Sequence, residues 1–338
     1  MTTIQLAMAC DDRYSLPLAV AVRSLLEQLE PSHAVELFIV DAGVTRENQG
    51  RCELAWHNFP VQCHWLRPTA DVLHELPVSA ALPIATYFRL LLPTLLPNVS
   101  KLLYLDPDLL VLRSLAPLWS TQLGDQPLAA AQDLACPYVH FPSAMANYSL
   151  ARRYLLGCDP IPNYGELGLA ADRPYFNAGV MLLNLEVWRK ERLGEQLIEF
   201  TRQHAAHNVS ADQYSLNACL GHRRVPLDIR WNQLQAIYDF PGWRESPLDA
   251  TTFRQVRDEP WIAHFAGPGK PWEGGNRHRL RSEYLAVLDR TPWAGWRPTP
   301  PVVPWSRRAR RTWRTGRDWV GARWRRARHS TPNSAKAA

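Results

Sequence analysis

The chain has 338 residues, with 38 Lys plus Arg against 32 Asp plus Glu, a formal net charge of +6 and 46% hydrophobic residues. That apolar content suits a substantial core in one large domain or two closely packed ones, and it excludes global disorder. The charge averages two unlike segments: residues 297–338 hold 12 basic groups and one acid, a net of +11, leaving about −5 on the rest. A chain basic throughout, as a dedicated nucleic-acid binder tends to be, is therefore disfavoured.

The first apolar run, IQLAMAC at 4–10, ends at Asp11 and Asp12 before any segment long enough for export, so no signal peptide is expected. The pattern of LPLAVAVRSLLEQL then suggests a helix, and VELFIVDAG (35–43) a second strand ending in Asp and Gly. VQCHWLR and KLLYLD are the third and fourth strand candidates. Between them, the stretch from Pro83 to Pro97 reads as a helix with an exposed Arg89 and a break near Pro93. LAAAQD is a further strand, ending in Asp133, and 136–175 holds five prolines, which predicts loops and short helices over the sheet where an acceptor would bind. FNAGVMLLNLEVW returns to the core, EVWRKERLGEQLIEFTRQHA reads as one helix, and DQYSLNACL (212–220) as another. RRVPLDIRWN reads as strand and turn, and WIAHF (261–265) as the last strand, opening into a Gly-rich loop. Strands alternating with helices predict an α/β sheet, largely parallel, with its site at the carboxyl ends of the strands.

Chemistry concentrates in KLLYLDPDLLVLRSL, where Asp106 and Asp108 flank Pro107 between two apolar runs. Side chains at i and i+2 of an extended segment point the same way, so the two carboxylates can converge on one cation. An isolated Asp-Pro-Asp reads equally well as a bare turn, but a pair of acids beside a core calls for a compensating cation. Oxygen ligands suit Mn²⁺ or Mg²⁺, and an imidazole from His264 favours manganese. After it, Gly267 and Gly269 permit close approach of backbone to phosphate and Lys270 supplies a point charge. The pattern is that of a metal–diphosphate site. The six cysteines have no C-x-x-C spacing, so neither a zinc cluster nor a disulfide framework is indicated, and a reducing cytosol is the simplest compartment.

ACDDRY, YLDPDLLV, YFNAGVMLLNL, ADQYSLNACL and HFAGPGKPW, in this order over residues 4–272, resemble the retaining glycosyltransferases of family 8, which include bacterial lipopolysaccharide galactosyl- and glucosyltransferases and glycogenin. The resemblance implies a GT-A fold: a single Rossmann-like nucleotide-sugar-binding α/β domain over 1–296 with a mixed central sheet, followed by a basic tail over 297–338. It further implies Mn²⁺, with Mg²⁺ as the alternative, on Asp106, Asp108 and His264, and a UDP-sugar donor. Ala9 and Asp11 would contact uracil and ribose, and Lys270 with the backbone near Gly267 the phosphates. Arg89 would lie near the donor sugar and diphosphate, Asn177 and Ala178 beside the sugar or acceptor, and Asp212 and Gln213 below the anomeric centre. Two departures bear on donor and acceptor specificity: Arg13 stands where several bacterial members have Asn, and Tyr214 where an acid commonly follows the Gln. Gln213 is a poor nucleophile, which favours a front-face reaction over a double displacement.

Trp231 and Asn232 in IRWNQL are candidates for the acceptor wall, although an aromatic after a strand more often packs. Asp133, His140, Tyr148 and Tyr164, in or beside the acceptor loops, read more readily as structural. The tail WSRRARRTWRTGRDWVGARWRRARH interleaves four tryptophans with ten arginines. Indoles favour the headgroup boundary and arginines attract anionic lipid, so peripheral attachment to the inner face of the cell membrane is expected, ahead of nucleic-acid binding or a merely solubilising tail. The expected donors are UDP-galactose or UDP-glucose and the expected acceptor a saccharide or lipid-linked saccharide. The alternatives are a glycogenin-like glucosyltransferase and a non-enzymatic nucleotide-sugar or membrane-binding protein.

Overall fold

A computed structural model describes residues 1–69, 71–78, 83–267, 269–275 and 278–299; the basic Arg/Trp tail beyond 299 lies outside the described residues. Ten strands organise the described residues: β1 (Thr2–Cys10), β2 (His33–Asp41), β3 (Val61–Leu66), β4 (Lys101–Leu105), β5 (Leu109–Val111), β6 (Leu128–Gln132), β7 (Phe176–Asn184), β8 (Arg224–Leu227), β9 (Gln233–Leu234) and β10 (Ile262–His264). Seven form one sheet in the order β3-β2-β1-β4-β7-β6-β8, and three form a small sheet, β5-β10-β9. β1, β2, β3 and β4 run parallel, β7 is antiparallel to both its neighbours, and β8 is parallel to β6.

Alternation along β1 explains how the sheet is covered. Ile4, Leu6, Met8 and Cys10 enter a core on one face with Leu18, Val22 and Leu25 of the helix Ser15–Glu27. Ala7 and Ala9 point to the other face, where Tyr104, Met181, Trp188 and Leu197 form a second core. Burial on both faces is why these strands read as nearly continuous apolar runs. A third cluster, including Tyr175, Tyr214, Phe240 and Phe253, holds the segment after β6 against the body. That segment contains the short helices Phe141–Ala144 and Tyr148–Ala151, the loop-and-short-helix pattern its prolines predict.

Three local expectations are corrected. The single helix expected from Glu186 is two, Leu185–Lys190 and Leu193–Gln203, because Arg192 between them adopts a left-handed conformation at φ 54°. The stretch before Pro97 is a 3₁₀ turn, Ile84–Leu91, followed by one α turn, Leu92–Leu95, which Pro93 begins instead of breaking. Arg89 is buried at 4% exposure, not exposed, because its guanidinium is turned inward to the ends of β4 and β7.

β4 and β5 are separated only by residues 106–108 yet belong to different sheets. β4 hands the chain to the large sheet's edge, where the Asp106 N–H donates to the Gly179 carbonyl at 2.8 Å. β5 then pairs antiparallel with β10, placing Leu109 opposite His264, and the Phe265 N–H donates to the Asp108 carbonyl at 3.0 Å. The switch between sheets thus brings both acids to the histidine.

Candidate active site

Asp106, Asp108 and His264 each offer a ligand atom, all within 4.8 Å of one another. His264 Nε2 lies 3.2 Å from Asp108 Oδ1 and 3.8 Å from Asp106 Oδ2. Two carboxylates and one imidazole are an oxygen-rich donor set with one nitrogen, which suits Mn²⁺. The backbone is shaped to let them meet: a Cβ on Gly179 would stand 2.2 Å from His264 Cε1 and 2.8 Å from Asp106 Oδ2. Only glycine leaves that room, so β7 forms a cradle for the triad.

Cations already surround the acids. The Arg89 Nη2 donates to Asp106 Oδ1 at 2.9 Å, its Nη1 to the Ala178 carbonyl and its Nε to the Thr86 carbonyl, while the Tyr104 hydroxyl adds a bond to Asp106 Oδ1 at 3.1 Å. The guanidinium also lies over the Tyr104 ring, 4.4 Å from its centroid. Lys270 Nζ, nearly buried, donates to Asp108 Oδ2 and to the Phe265 carbonyl. Burial alone would raise the Asp108 carboxyl, but the Lys270 ammonium and His264 outweigh it and hold it well below the usual carboxylate range.

Asp212 opens the helix Asp212–Leu220 and is brought to the same place by Arg89, its Oδ2 lying 2.9 Å from Nε. That contact is electrostatic: the Nε hydrogen is spent on Thr86, and Oδ2 has no hydrogen-bond partner among the described residues. Burial pushes the Asp212 carboxyl up to about 7, with Arg89 opposing. Gln213, the next residue, accepts the Ala178 N–H on Oε1 at 3.0 Å and donates from Nε2 to Asp133 Oδ2 at 3.2 Å. Asn177 donates to the same Asp133 oxygen at 2.9 Å and accepts the Gly179 N–H, also at 2.9 Å.

The remaining expected residues lie at the end of β1. Ala9 is buried within the strand, opposite Val40. Asp11 caps the turn Asp12–Tyr14, and Arg13 folds back on it, its Nη2 donating to Asp11 Oδ2 at 2.8 Å, with most of its side chain in solvent. Gly267 has a positive φ of 83° with open space around the missing Cβ. Tyr214, one of the two departures from the family pattern, is core and donates to Asn163 at 2.8 Å, and Trp231, weighed for the acceptor wall, packs edge-on against Trp261.

Sequence reasoning missed two contributors and gave a third a different place. Tyr14 sits where the charges of Lys270, Asp108 and Asp106 reach its hydroxyl, and its ring meets Trp272 edge-on at 6.0 Å, linking the first loop to the Asp106–Asp108–His264 cluster. Gly179 lay unassigned inside FNAGV, beside two residues that were. Asn232, expected at the acceptor wall, is 0% exposed and faces His264 Nδ1 at 2.8 Å.

The chain matches the profile of glycosyl transferase family 8 over residues 5–275. It belongs to that family, and the solved structures it resembles give it the GT-A fold. General stress protein A of Bacillus subtilis is 26% identical, over 86% of this chain and 94% of that protein. The lipopolysaccharide 1,3-galactosyltransferase of Salmonella typhimurium is 23% identical over 86% of this chain and 79% of its own length. Among solved structures, the galactosyltransferase LgtC, determined with donor and acceptor sugar analogs, superposes with a TM-score of 0.67 at 25% identity, covering 90% of this chain and 99% of that one.

Proposed function

We propose that this chain is a Mn²⁺-dependent, configuration-retaining hexosyltransferase that moves galactose or glucose from its UDP derivative to a saccharide or lipid-linked saccharide of a cell-surface glycan. The convergence of Asp106, Asp108 and His264 on the glycine-lined edge of β7 carries this reading. These three residues would hold the ion, which when bound supplies Lewis-acid stabilisation of the departing diphosphate. Relatives named as lipopolysaccharide galactosyl- and glucosyltransferases support the donor and acceptor class.

The chain's own groups divide the remaining work. Lys270, already withdrawn from solvent against Asp108, supplies a cation at the diphosphate end, and the backbone at Gly267 lets phosphate approach. Ala9, Asp11 and Arg13 stand at the end of β1, where uracil and ribose would lie. Arg89 holds Asp106 and Asp212 in place from within the core, and Asp212, with an unbonded oxygen, takes the hexose hydroxyls. Gln213 has both polar ends engaged, by Ala178 and Asp133, which suits orienting the sugar and not attacking it. A front-face reaction therefore fits better than a double displacement: the departing phosphate oxygen takes the acceptor's proton as the new bond forms on the same face.

Residues 1–296 form the catalytic unit in this reading, and 297–338 attach it to anionic lipid on the inner face of the membrane. No helix among the described residues is long and apolar enough to cross a membrane. Hydrolysis of UDP-galactose, UDP-glucose and UDP-N-acetylhexosamines, with and without Mn²⁺, tests the proposal. Metal-dependent turnover of a UDP-hexose is expected, and no turnover with any donor would defeat it. Co-sedimentation with anionic vesicles, lost on truncation at residue 300, tests the tail.

A further inference from the structure

His264 reaches the two carboxylates through one ring nitrogen, and the other meets a side chain that has no contact with solvent. That side chain is Asn232, 0% exposed, in the turn Ile229–Asn232 just before β9. We propose that Asn232 is a positioning residue: it closes a buried hydrogen-bond chain that fixes His264 with hydrogen on Nδ1 and with Nε2 turned to Asp106 and Asp108.

The direction of the chain follows from a group that has no choice. A main-chain N–H can only donate, and that of Gly179 meets Asn177 Oδ1 at 2.9 Å. The Asn177 oxygen is thereby identified, and its amide nitrogen faces Asp133 Oδ2 at 2.9 Å. Asp133 accepts there, and its other oxygen accepts the Ala135 and Cys136 N–H groups. The second lone pair of Asn177 Oδ1 takes a hydrogen from Asn232 Nδ2 at 2.9 Å. The Asn232 oxygen therefore faces His264 Nδ1 at 2.8 Å, and Nδ1 must carry the hydrogen between them.

Turning the Asn232 amide over would set oxygen against oxygen at Asn177. At this buried position that leaves two acceptors opposed with no hydrogen between them and the Asn177 lone pair unfilled. Nε2 is left directed at Asp108 Oδ1 and Asp106 Oδ2, an arrangement that needs a cation or proton between the three. The same Asp133 oxygen receives Gln213 Nε2, so the chain runs unbroken from the residue below the sugar to the metal ligand. Two successive N–H groups of β7, Ala178 on Gln213 and Gly179 on Asn177, set its sense.

This inference rests on the metal reading above, and the experiment separates the two. Mn²⁺ binding to the full chain is followed by loss of the free-ion paramagnetic resonance signal, for wild type, Asn232→Ala and Asn232→Asp, with thermal melts as a check on folding. Removing a partner of a ligating histidine weakens metal affinity about ten- to a hundredfold, which is the loss expected of Asn232→Ala. Asn232→Asp keeps an oxygen opposite Nδ1 but sets its second oxygen against Asn177 Oδ1, so it recovers part of that loss, whereas a merely structural role would leave both variants equally impaired. Wild-type affinity in Asn232→Ala overturns the proposal. Independently of any variant fold, nitrogen NMR of the wild-type chain, with His264 assigned through His264→Ala, is expected to show hydrogen on Nδ1 in every folded state. A bare Nδ1 overturns the proposal even if wild type binds no Mn²⁺, a result that would defeat only the metal reading.

Discussion

Aspartates follow strands at two places on the same sheet edge, and the two sets are held in opposite ways. At the ends of β1 and β2, Asp12 accepts the Thr45 N–H, the Thr45 hydroxyl and Asn48, and Asp41 accepts the Gly43 and Val44 N–H groups, Gln49 and Arg67. These carboxylates tie down the loop before the helix Arg46–Trp56 and hold Thr45, whose hydroxyl caps that helix. Between β4 and β5, beside the end of β10, Asp106 and Asp108 receive no main-chain N–H among the described residues; they lean on Arg89, Tyr104, Lys270 and His264. A carboxylate satisfied by fixed backbone dipoles is part of the frame, whereas one balanced by side-chain cations can exchange a partner for an ion.

Breaking the second set has the largest expected effect. Asp106→Ala and Asp108→Ala should each lower metal-dependent UDP-sugar turnover by about a thousandfold or more, since several kcal/mol of charge stabilisation are removed at about 1.4 kcal/mol per decade. Near-normal rates in both would erase the distinction drawn here. Gly179→Ala comes next: its Cβ collides with the His264 ring and Asp106, so Mn²⁺ affinity should fall at least about tenfold, with an overpacking cost of about 1–3 kcal/mol in the melt.

The frame set should behave in the converse way. Asp41→Asn opposes an amide to the donors Gln49 and Arg67 and should cost about 1–3 kcal/mol of stability while leaving Mn²⁺ affinity at the wild-type value. A stable Asp41→Asn protein with weakened metal binding would show that the two regions are coupled.

The smallest effect concerns the low-pH limit. Burial pushes His278 down to about 4, its ring lying against Phe265 beyond β10 and its Nδ1 accepting the Leu280 N–H at 3.0 Å. An unfolded histidine takes up its proton near pH 6.5, so between about 6.5 and 4 the unfolded state binds more protons. This group's contribution is therefore complete above that window and is lost as pH falls through it. His278→Asn, which keeps an acceptor for Leu280, should flatten part of the decline of melting temperature with acid; an unchanged slope would place the loss elsewhere.

The sequence made the local parts legible. The apolar runs became β1, β2, β4 and β6 because burial on both faces of a largely parallel sheet leaves a continuous signature, while β3, at the sheet's edge, is only half-buried. The Asp-x-Asp pair was visible because two acids between apolar runs demand compensation. Arg89 was misplaced for a related reason: one cation in a turn of apolar residues reads as the solvent-facing side, and the partners that draw it inward, Asp106 and Asp212, lie 17 and 123 positions away. Arg192 hid a helix break because nothing in its residue type announces a left-handed backbone.

What the sequence determined by itself was the class of sheet, the family motifs and the three residues, Asp106, Asp108 and His264, that the structure brings together. What only the tertiary structure decided was which polar groups face one another. Gly179, Asn177, Asn232 and His264 sit in three separate motifs, and an amide reads alike whether it caps a turn or orients an imidazole. The pairing of β7 with β4 and of β10 with both β5 and β9 brings those groups within 3 Å, and a hydrogen bond at that range is set by chain crossing, not by local pattern.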